Sequence, residues 1–329
     1  MRTKNSIYNV ISSLIVNTIT IIIGLIAQAV FINVLGEEFL GINGLFTNII
    51  SMLGIVELGI GTAVIYELYK PISENDIYKI NALMNFYRKC YHIIAIIVLI
   101  IGLSITPFLN FFVGKVTVNV NLNLVYILFI IDIVCSYILS YKRSIINANQ
   151  KNYIVNLIHI LCLAFLNIIQ IIILLLTKNY YLYLIIKIIM RLLENVFITC
   201  IANKLYPYLN NGNYQLDKET KNDIVKKVKA LFFHKIGGFI VLGSDNLIIS
   251  KLLGVITVGL YSNYYLVINA VQSLFGQAIN VLTPSVGNLL IEDNKSKTYS
   301  IFKKVRFINF WITCFSATAI LVIMDSFVS

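Results

Sequence analysis

The sequence predicts an all-α, polytopic membrane protein, and three observations carry this prediction. Hydrophobic residues make up 58% of the 329 residues, whereas charged residues make up 12%. Mean hydropathy is +0.84, and water-soluble domains do not have such a balance of apolar to charged residues. The apolar residues are grouped into nine stretches, each matching the roughly 20 helical residues that cross the hydrocarbon core of a bilayer.

The nine predicted transmembrane helices are rich in Ile and Leu and lack the alternation of polar and apolar residues that outer-membrane strands have. They cover residues 8–34, 40–68, 91–113, 122–141, 153–177, 180–202, 231–253, 258–290 and 307–327. We expect a complete six-helix N-terminal lobe at 1–205, a cytoplasmic linker at 206–230 and a partial C-terminal lobe of three helices at 231–329. Because a second six-helix lobe needs three more helices, we expect the chain to be truncated.

Basic residues indicate how the chain is oriented in the membrane. Most of the 26 lysines and arginines precede the first predicted helix or follow an even-numbered one, whereas the first odd-numbered gap carries Glu37 and Glu38. Cytoplasmic loops of membrane proteins collect Lys and Arg, so we expect a cytoplasmic N-terminus and insertion in the plasma (bacterial cytoplasmic) membrane. The same distribution accounts for the net charge of +11, and we expect no nucleic-acid partner.

Motifs for catalysis or cofactor binding are absent from the sequence. The five cysteines are scattered one to a helix or helix edge, without the spacing of a metal site, and the three histidines are equally isolated. Neither a Walker motif nor GxGxxG occurs. We therefore expect no metal, no cofactor and no enzymatic activity.

An internal repeat relates the second predicted helix to the eighth at an offset of 218 residues. It aligns Leu35 with Leu253, Gly36 with Gly254 and Gly41 with Gly259. In both copies an odd-numbered helix ends at Leu-Gly and the next helix begins after a tight turn. Since the copies lie six helices apart, the repeat predicts two lobes of the same orientation rather than an inverted pair.

Polar and charged side chains inside the predicted helices are the candidates for a functional site, because each is costly in lipid unless it faces protein or water. On separate helices these candidates are Glu57, Asp132, Asp245, Asn156 and His159. Several polar stripes together predict an internal cavity. For any single stripe, packing between helices through amide hydrogen bonds is the alternative.

The sixth predicted helix carries the sharpest of these signals. Lys187, Arg191 and Glu194 are spaced i, i+4 and i+3, so they share one ridge. An internal salt bridge from Arg191 to Glu194 would leave Lys187 as a net positive charge for an anionic headgroup such as a diphosphate. The alternative is a neutralised structural network with Asp132 or Glu57, and the sequence leaves both interpretations open.

Two segments resemble the polysaccharide repeat-unit flippases of the MATE-like exporter superfamily. Residues 57–71, ELGIGTAVIYELYKP, look like the second helix of that family and its exit, and residues 244–250, SDNLIIS, with 258–264, VGLYSNY, look like its seventh-to-eighth helix region. The resemblance implies a flippase for undecaprenyl-diphosphate-linked oligosaccharides in capsule, O-antigen or exopolysaccharide assembly. It also implies a polyprenyl-diphosphate-linked glycan, the lipid bilayer and the polysaccharide polymerase machinery as partners.

Two other functions stay open at the level of sequence. A multidrug or organic-cation exporter of the same superfamily should have a cavity dominated by unpaired acidic residues, and Lys187 with Arg191 argues against it. A membrane polysaccharide polymerase or acyltransferase needs catalytic His or Arg with large external loops, which the short outer gaps disfavour.

Overall fold

The structure, a computed structural model, describes residues 2–57, 60–113, 118, 120–210, 214–291 and 295–328. Thirteen α-helices occupy these ranges: α1 Arg2–Leu35, α2 Glu37–Leu53, α3 Ile60–Glu74, α4 Ile77–Ile105, α5 Leu109–Val113, α6 Leu122–Tyr137, α7 Tyr141–Ala148, α8 Asn152–Thr177, α9 Tyr180–Leu205, α10 Lys218–Gly243, α11 Asp245–Leu253, α12 Val255–Ile291 and α13 Lys295–Val328. Short 3-10 helices cover Gly54–Glu57, Thr106–Phe108 and Pro207–Asn210. The described parts of the nine predicted stretches are almost entirely helical, which confirms the all-α prediction.

Four helical segments of the described chain are long and apolar enough to cross a membrane. They are Ile11–Leu35, Ile77–Phe108, Asn152–Thr177 and Phe302–Val322, and the bent pair Leu122–Tyr137 and Tyr141–Ala148 makes a fifth if it counts as one span. The buried share of their most apolar windows is 28% or less, as expected for helices whose surfaces face lipid.

Three of the other predicted spans are broken or carry several charges, whereas the eighth lies within the continuous, uncharged helix α12. The second continues from α2 into the 3-10 helix at Gly54–Glu57, and α3 follows from Ile60. The seventh changes from α10 to α11 at Ser244. The sixth, α9, is continuous but carries the charged ridge of Lys187, Arg191 and Glu194. Such breaks and charges are expected where helices line a cavity rather than lipid.

The N-terminal helices pack around α8 and α9. Helix α8 lies against α1 and α9, and α6 lies against both α4 and α9. The contact between α1 and α8 is polar: Asn9 accepts from the backbone N–H of Tyr153 at 2.9 Å, and Asn156 donates to Ser12 and Ser13 at 3.0 and 3.1 Å. Hydrogen bonds of partly buried amides, such as these, join transmembrane helices.

The turn at Leu-Gly is the same in both copies of the predicted repeat. Gly36 has φ 92° and ψ 172°, and Gly254 has φ 90° and ψ 166°. Side chains rarely tolerate this region, which explains glycine at both positions. Helix α1 ends at Leu35 and α11 at Leu253, so the offset of 218 residues holds for the backbone here. The lobe boundaries at residues 205 and 230 remain predictions.

Candidate functional site

Asp132 of α6 binds two cations of α9 at once. Its Oδ2 lies 3.1 Å from Nζ of Lys187, and its Oδ1 lies 3.3 Å from Nε of Arg191. The Asp132 side chain is only 12% exposed, and the two cations together help to offset the loss of its hydration. This arrangement matches the structural network that the sequence left open.

Glu194 pairs with other helices, so the predicted salt bridge within the ridge was wrong. Its Oε1 accepts a hydrogen bond from Nη2 of Arg143 at 2.8 Å and lies 3.1 Å from Nδ1 of His159. The physical reason is tertiary: Asp132 attracts Arg191 towards α6, while α7 and α8 bring Arg143 and His159 to Glu194.

Arg143 is not among the candidates predicted from the sequence, because it follows the fourth predicted helix, 122–141, and so counts among the basic residues expected in a cytoplasmic loop. In the structure it lies on α7, which follows α6 at a bend of 42°. Its Nη2 also donates to Oδ1 of Asn195 at 3.0 Å, and its buried Nε has no hydrogen-bond partner. A buried donor without a partner is costly unless a ligand or water satisfies it.

The buried side chain of Asn195 stabilises the end of α6 at this bend. Its Nδ2 donates to the backbone carbonyls of Cys135 at 3.0 Å and Ile138 at 2.9 Å. The last carbonyls of a helix have no partner within the helix, so Asn195 satisfies groups that would otherwise be orphaned in an apolar environment. Asn195 therefore holds the bend and orients Arg143.

Glu57 lies where the 3-10 helix after α2 ends, among three tyrosines. Its carboxylate accepts a hydrogen bond from the hydroxyl of Tyr91, and Tyr137 lines the same cavity. The hydroxyl of Tyr87 in turn donates to that of Tyr91 at 3.0 Å. The tyrosines thus provide a polar environment for a carboxylate within a predicted transmembrane helix.

A cavity of 310 Å³ brings these groups together. Its polar and charged lining includes Glu57, Tyr87, Tyr91, Arg143, Asn147 and Arg191. Oδ1 of Asn147, like Nε of Arg143, is buried without a hydrogen-bond partner. The lining therefore offers an unpaired acceptor, an unpaired donor and two guanidinium groups to a ligand.

The predicted site residues divide into three groups. Glu57 and Arg191 line the cavity. Asp132, Glu194, His159 and Lys187 form the ion pairs beside it, and Nζ of Lys187 lies 5.0 Å from the ring centroid of Phe129. Asn156 and Asp245 lie elsewhere: Asn156 packs α8 against α1, and Oδ2 of Asp245 accepts from Tyr261 at 3.3 Å. The described residues contain no cluster of three His, Cys, Asp or Glu side chains that could hold a metal ion.

Comparisons with known proteins give one structural relative. No family model matches the chain, and no curated protein is detectably similar to it in sequence. The structure is similar to that of a multidrug resistance MATE family transporter of the MOP superfamily in an inward-facing conformation, with a TM-score of 0.65 and 14% sequence identity. The match covers 95% of this chain and 74% of that protein. The chain thus has a MATE-like transporter fold.

Proposed function

We propose that this chain is a transporter that moves an undecaprenyl-diphosphate-linked oligosaccharide from the inner to the outer leaflet of the plasma membrane. The observation that carries the proposal is the presence of Arg143 and Arg191 in the lining of one cavity. Guanidinium groups bind phosphate oxygens through paired, charge-assisted hydrogen bonds. Two such groups fit a diphosphate better than they fit a neutral or cationic solute.

The charge balance beside the cavity supports an anionic ligand. Lys187, Arg191 and Arg143 face two carboxylates, those of Asp132 and Glu194, so this ion-pair network carries one net positive charge. Glu57, in the lining of the same cavity, takes no part in these ion pairs and brings the charge of the whole site to zero. A phosphate bound by the arginines would offset the local positive charge of the network and give the unpaired Nε of Arg143 a partner.

The transport task fits a polar cavity within a helical membrane protein. A glycan with a charged diphosphate must cross about 30 Å of hydrocarbon, where unsolvated charge is very unfavourable. Polar side chains inside the protein lower that barrier, while the polyprenyl chain stays in an apolar environment. In this proposal the N-terminus is cytoplasmic, and the flipped unit passes to a polysaccharide polymerase.

A second candidate function rests on Glu57. A carboxylate surrounded by Tyr87, Tyr91 and Tyr137 is also a plausible site for an organic cation, because aromatic rings and a negative charge both attract it. An exporter of organic cations would use this half of the cavity and leave the arginines as structural groups.

Binding by the purified chain distinguishes the two functions. Isothermal titration with undecaprenyl diphosphate and with tetraphenylphosphonium would be compared for the wild type, Arg191→Gln and Glu57→Gln, with Arg306→Gln as a control for loss of an exposed charge far along the chain. We expect Arg191→Gln to weaken diphosphate binding by about 10- to 100-fold, the value of a charge-assisted bidentate contact. The cation exporter would be supported instead if the wild type binds tetraphenylphosphonium tightly but not diphosphate, and if Glu57→Gln abolishes the tetraphenylphosphonium binding.

A further inference from the structure

An apolar groove of 480 Å³ lies between α8 and α9, outside the polar cavity. Its residues come from both helices and are all apolar; they include Leu161, Cys162 and Phe165 of α8 and Met190, Leu193 and Phe197 of α9. Cys162 is buried at 7% exposure, whereas Phe165 and Phe197 are 60% and 52% exposed. The lining of the groove therefore combines a buried residue with two largely exposed aromatic rings.

The groove and the polar cavity lie at the same depth along α9. Met190 lines the groove and Arg191 lines the cavity, and consecutive helical residues are separated by about 1.5 Å along the axis and about 100° around it. On α8, His159 is one turn from Cys162 and reaches Glu194, which binds Arg143 of the cavity. The contacts of Glu194 thus link α8, which lines the groove, to an arginine that lines the cavity.

An apolar groove beside a cationic cavity is complementary to a ligand that has both a hydrocarbon chain and an anionic headgroup. We infer that the groove binds the isoprenoid chain of the lipid-linked substrate, while Arg143 and Arg191 bind its phosphate. The inference rests on the proposed function and deepens it, because it assigns the chain of the substrate to α8 and α9.

The chain type follows from how such a groove gains affinity. Moving a hydrocarbon chain from the bilayer to the groove brings no hydrophobic gain, because lipid tails are as apolar as the groove. The affinity of the chain therefore depends on van der Waals packing and on the entropy lost when the chain is ordered. At equal length, an isoprenoid chain has fewer free rotations to lose than a straight acyl chain, because one backbone bond in four is a double bond.

The test fills the groove without touching the cavity. Leu193→Trp places a bulky ring in the groove, and Val196→Trp is the matched control, because Val196 lies three residues away on α9 with similar exposure, 45% against 41%, and does not line the groove. Binding of undecaprenyl phosphate, phosphatidylglycerol and inorganic diphosphate to the purified chain would be measured by native mass spectrometry and titration, with Arg191→Gln in parallel.

We expect Leu193→Trp to weaken undecaprenyl phosphate binding by about tenfold or more, because the chain loses contacts in the groove. Its binding of inorganic diphosphate should stay unchanged, and Val196→Trp should bind undecaprenyl phosphate as the wild type does. Equal weakening of undecaprenyl phosphate binding by the two tryptophan variants would overturn the inference. So would phosphatidylglycerol binding that equals undecaprenyl phosphate binding and is weakened equally by Leu193→Trp, because the groove would then be an ordinary lipid contact. In either case, loss of diphosphate binding in Arg191→Gln would uphold the phosphate site. If wild type binds no phosphate probe, the proposed function itself fails.

Discussion

Gly41 and Gly259 lie backbone against backbone where α2 crosses α12. A Cβ on Gly259 would lie 2.5 Å from the carbonyl oxygen of Glu37 and 3.2 Å from the amide nitrogen of Gly41, and a Cβ on Gly41 would lie 2.1 Å from the carbonyl oxygen of Val255. Glu37 and Val255 are themselves equivalent at the offset of 218 residues. The contact is therefore reciprocal, as a local two-fold relation between the two copies of the repeat requires.

Gly259→Ala should force this crossing apart. The added methyl group meets backbone rather than a flexible side chain, so the crossing must widen, at a cost of about 1–3 kcal/mol typical of overpacking. In a chain without its native cysteines, spin labels at Asn33 and Ile256 report the distance between these positions by double electron–electron resonance. We expect Gly259→Ala to lengthen that distance and to lower Tm.

Gly276→Ala is the control for that experiment, because it lies on the same helix and a Cβ there meets nothing within 4 Å. It should leave the label distances unchanged and stabilise the helix slightly. If Gly259→Ala behaves like Gly276→Ala, the close crossing is not a constraint on α2 and α12.

Asn195→Leu should destabilise the protein through the bend between α6 and α7. The substitution removes the donor to the carbonyls of Cys135 and Ile138, and each buried polar group left unpaired costs about 1–3 kcal/mol. We expect Tm in detergent to fall by about 5 °C or more, measured by differential scanning fluorimetry.

Asn167→Leu serves as the comparison for Asn195→Leu. Its Nδ2 donates to a carbonyl of its own helix, that of Leu163, at 2.8 Å, so no carbonyl loses its only partner. Tm should change little. A similar loss of Tm in both variants would contradict the role of Asn195 at the bend.

Lys187 and Arg191 should differ in their effect on ligand binding, although both pair with Asp132. Arg191 lines the cavity, whereas the described lining does not include Lys187. We expect Lys187→Met to keep inorganic diphosphate binding within about threefold, while Arg191→Gln and Arg143→Gln lose it by about tenfold or more. Titration calorimetry measures both, and comparable losses from Lys187→Met would mean that the ion-pair network, and not the cavity, governs binding.

The charged ridge and the glycine turns could be predicted from the sequence. The 3.6-residue period placed Lys187, Arg191 and Glu194 together, and the repeat identified the glycine turns at Gly36 and Gly254. Both rest on local backbone geometry, which the sequence encodes within a few residues.

The partners of the ridge could not be predicted, because they depend on where other helices pack. Arg143 follows the fourth predicted helix, 122–141, and so counts there among the basic loop residues; no Gly or Pro marks the break after Tyr137. The turn is instead made by Leu139, which adopts φ 66°, and by the amide of Asn195 some 57 residues beyond Ile138. Tertiary contacts of this kind override local preference.

The orientation in the membrane remains a prediction and can be tested with two exposed positions. We expect Lys221→Cys to react with an impermeant maleimide only after cell lysis, and Glu37→Cys to react in intact cells, because basic segments stay cytoplasmic. The native cysteines would be removed first. Labelling of Lys221→Cys in intact cells would reverse the orientation.

Flipping of a lipid-linked oligosaccharide by the reconstituted chain tests the central claim most directly. A fluorescent polyprenyl-diphosphate oligosaccharide in proteoliposomes becomes accessible to an impermeant quencher only on the outer leaflet, which gives the flipping rate. We predict flipping by the wild type and by Arg306→Gln, a reduced rate for Arg191→Lys, which keeps the charge but loses the bidentate fork, and background for Arg191→Gln. Flipping by Arg191→Gln at the wild-type rate would contradict the account.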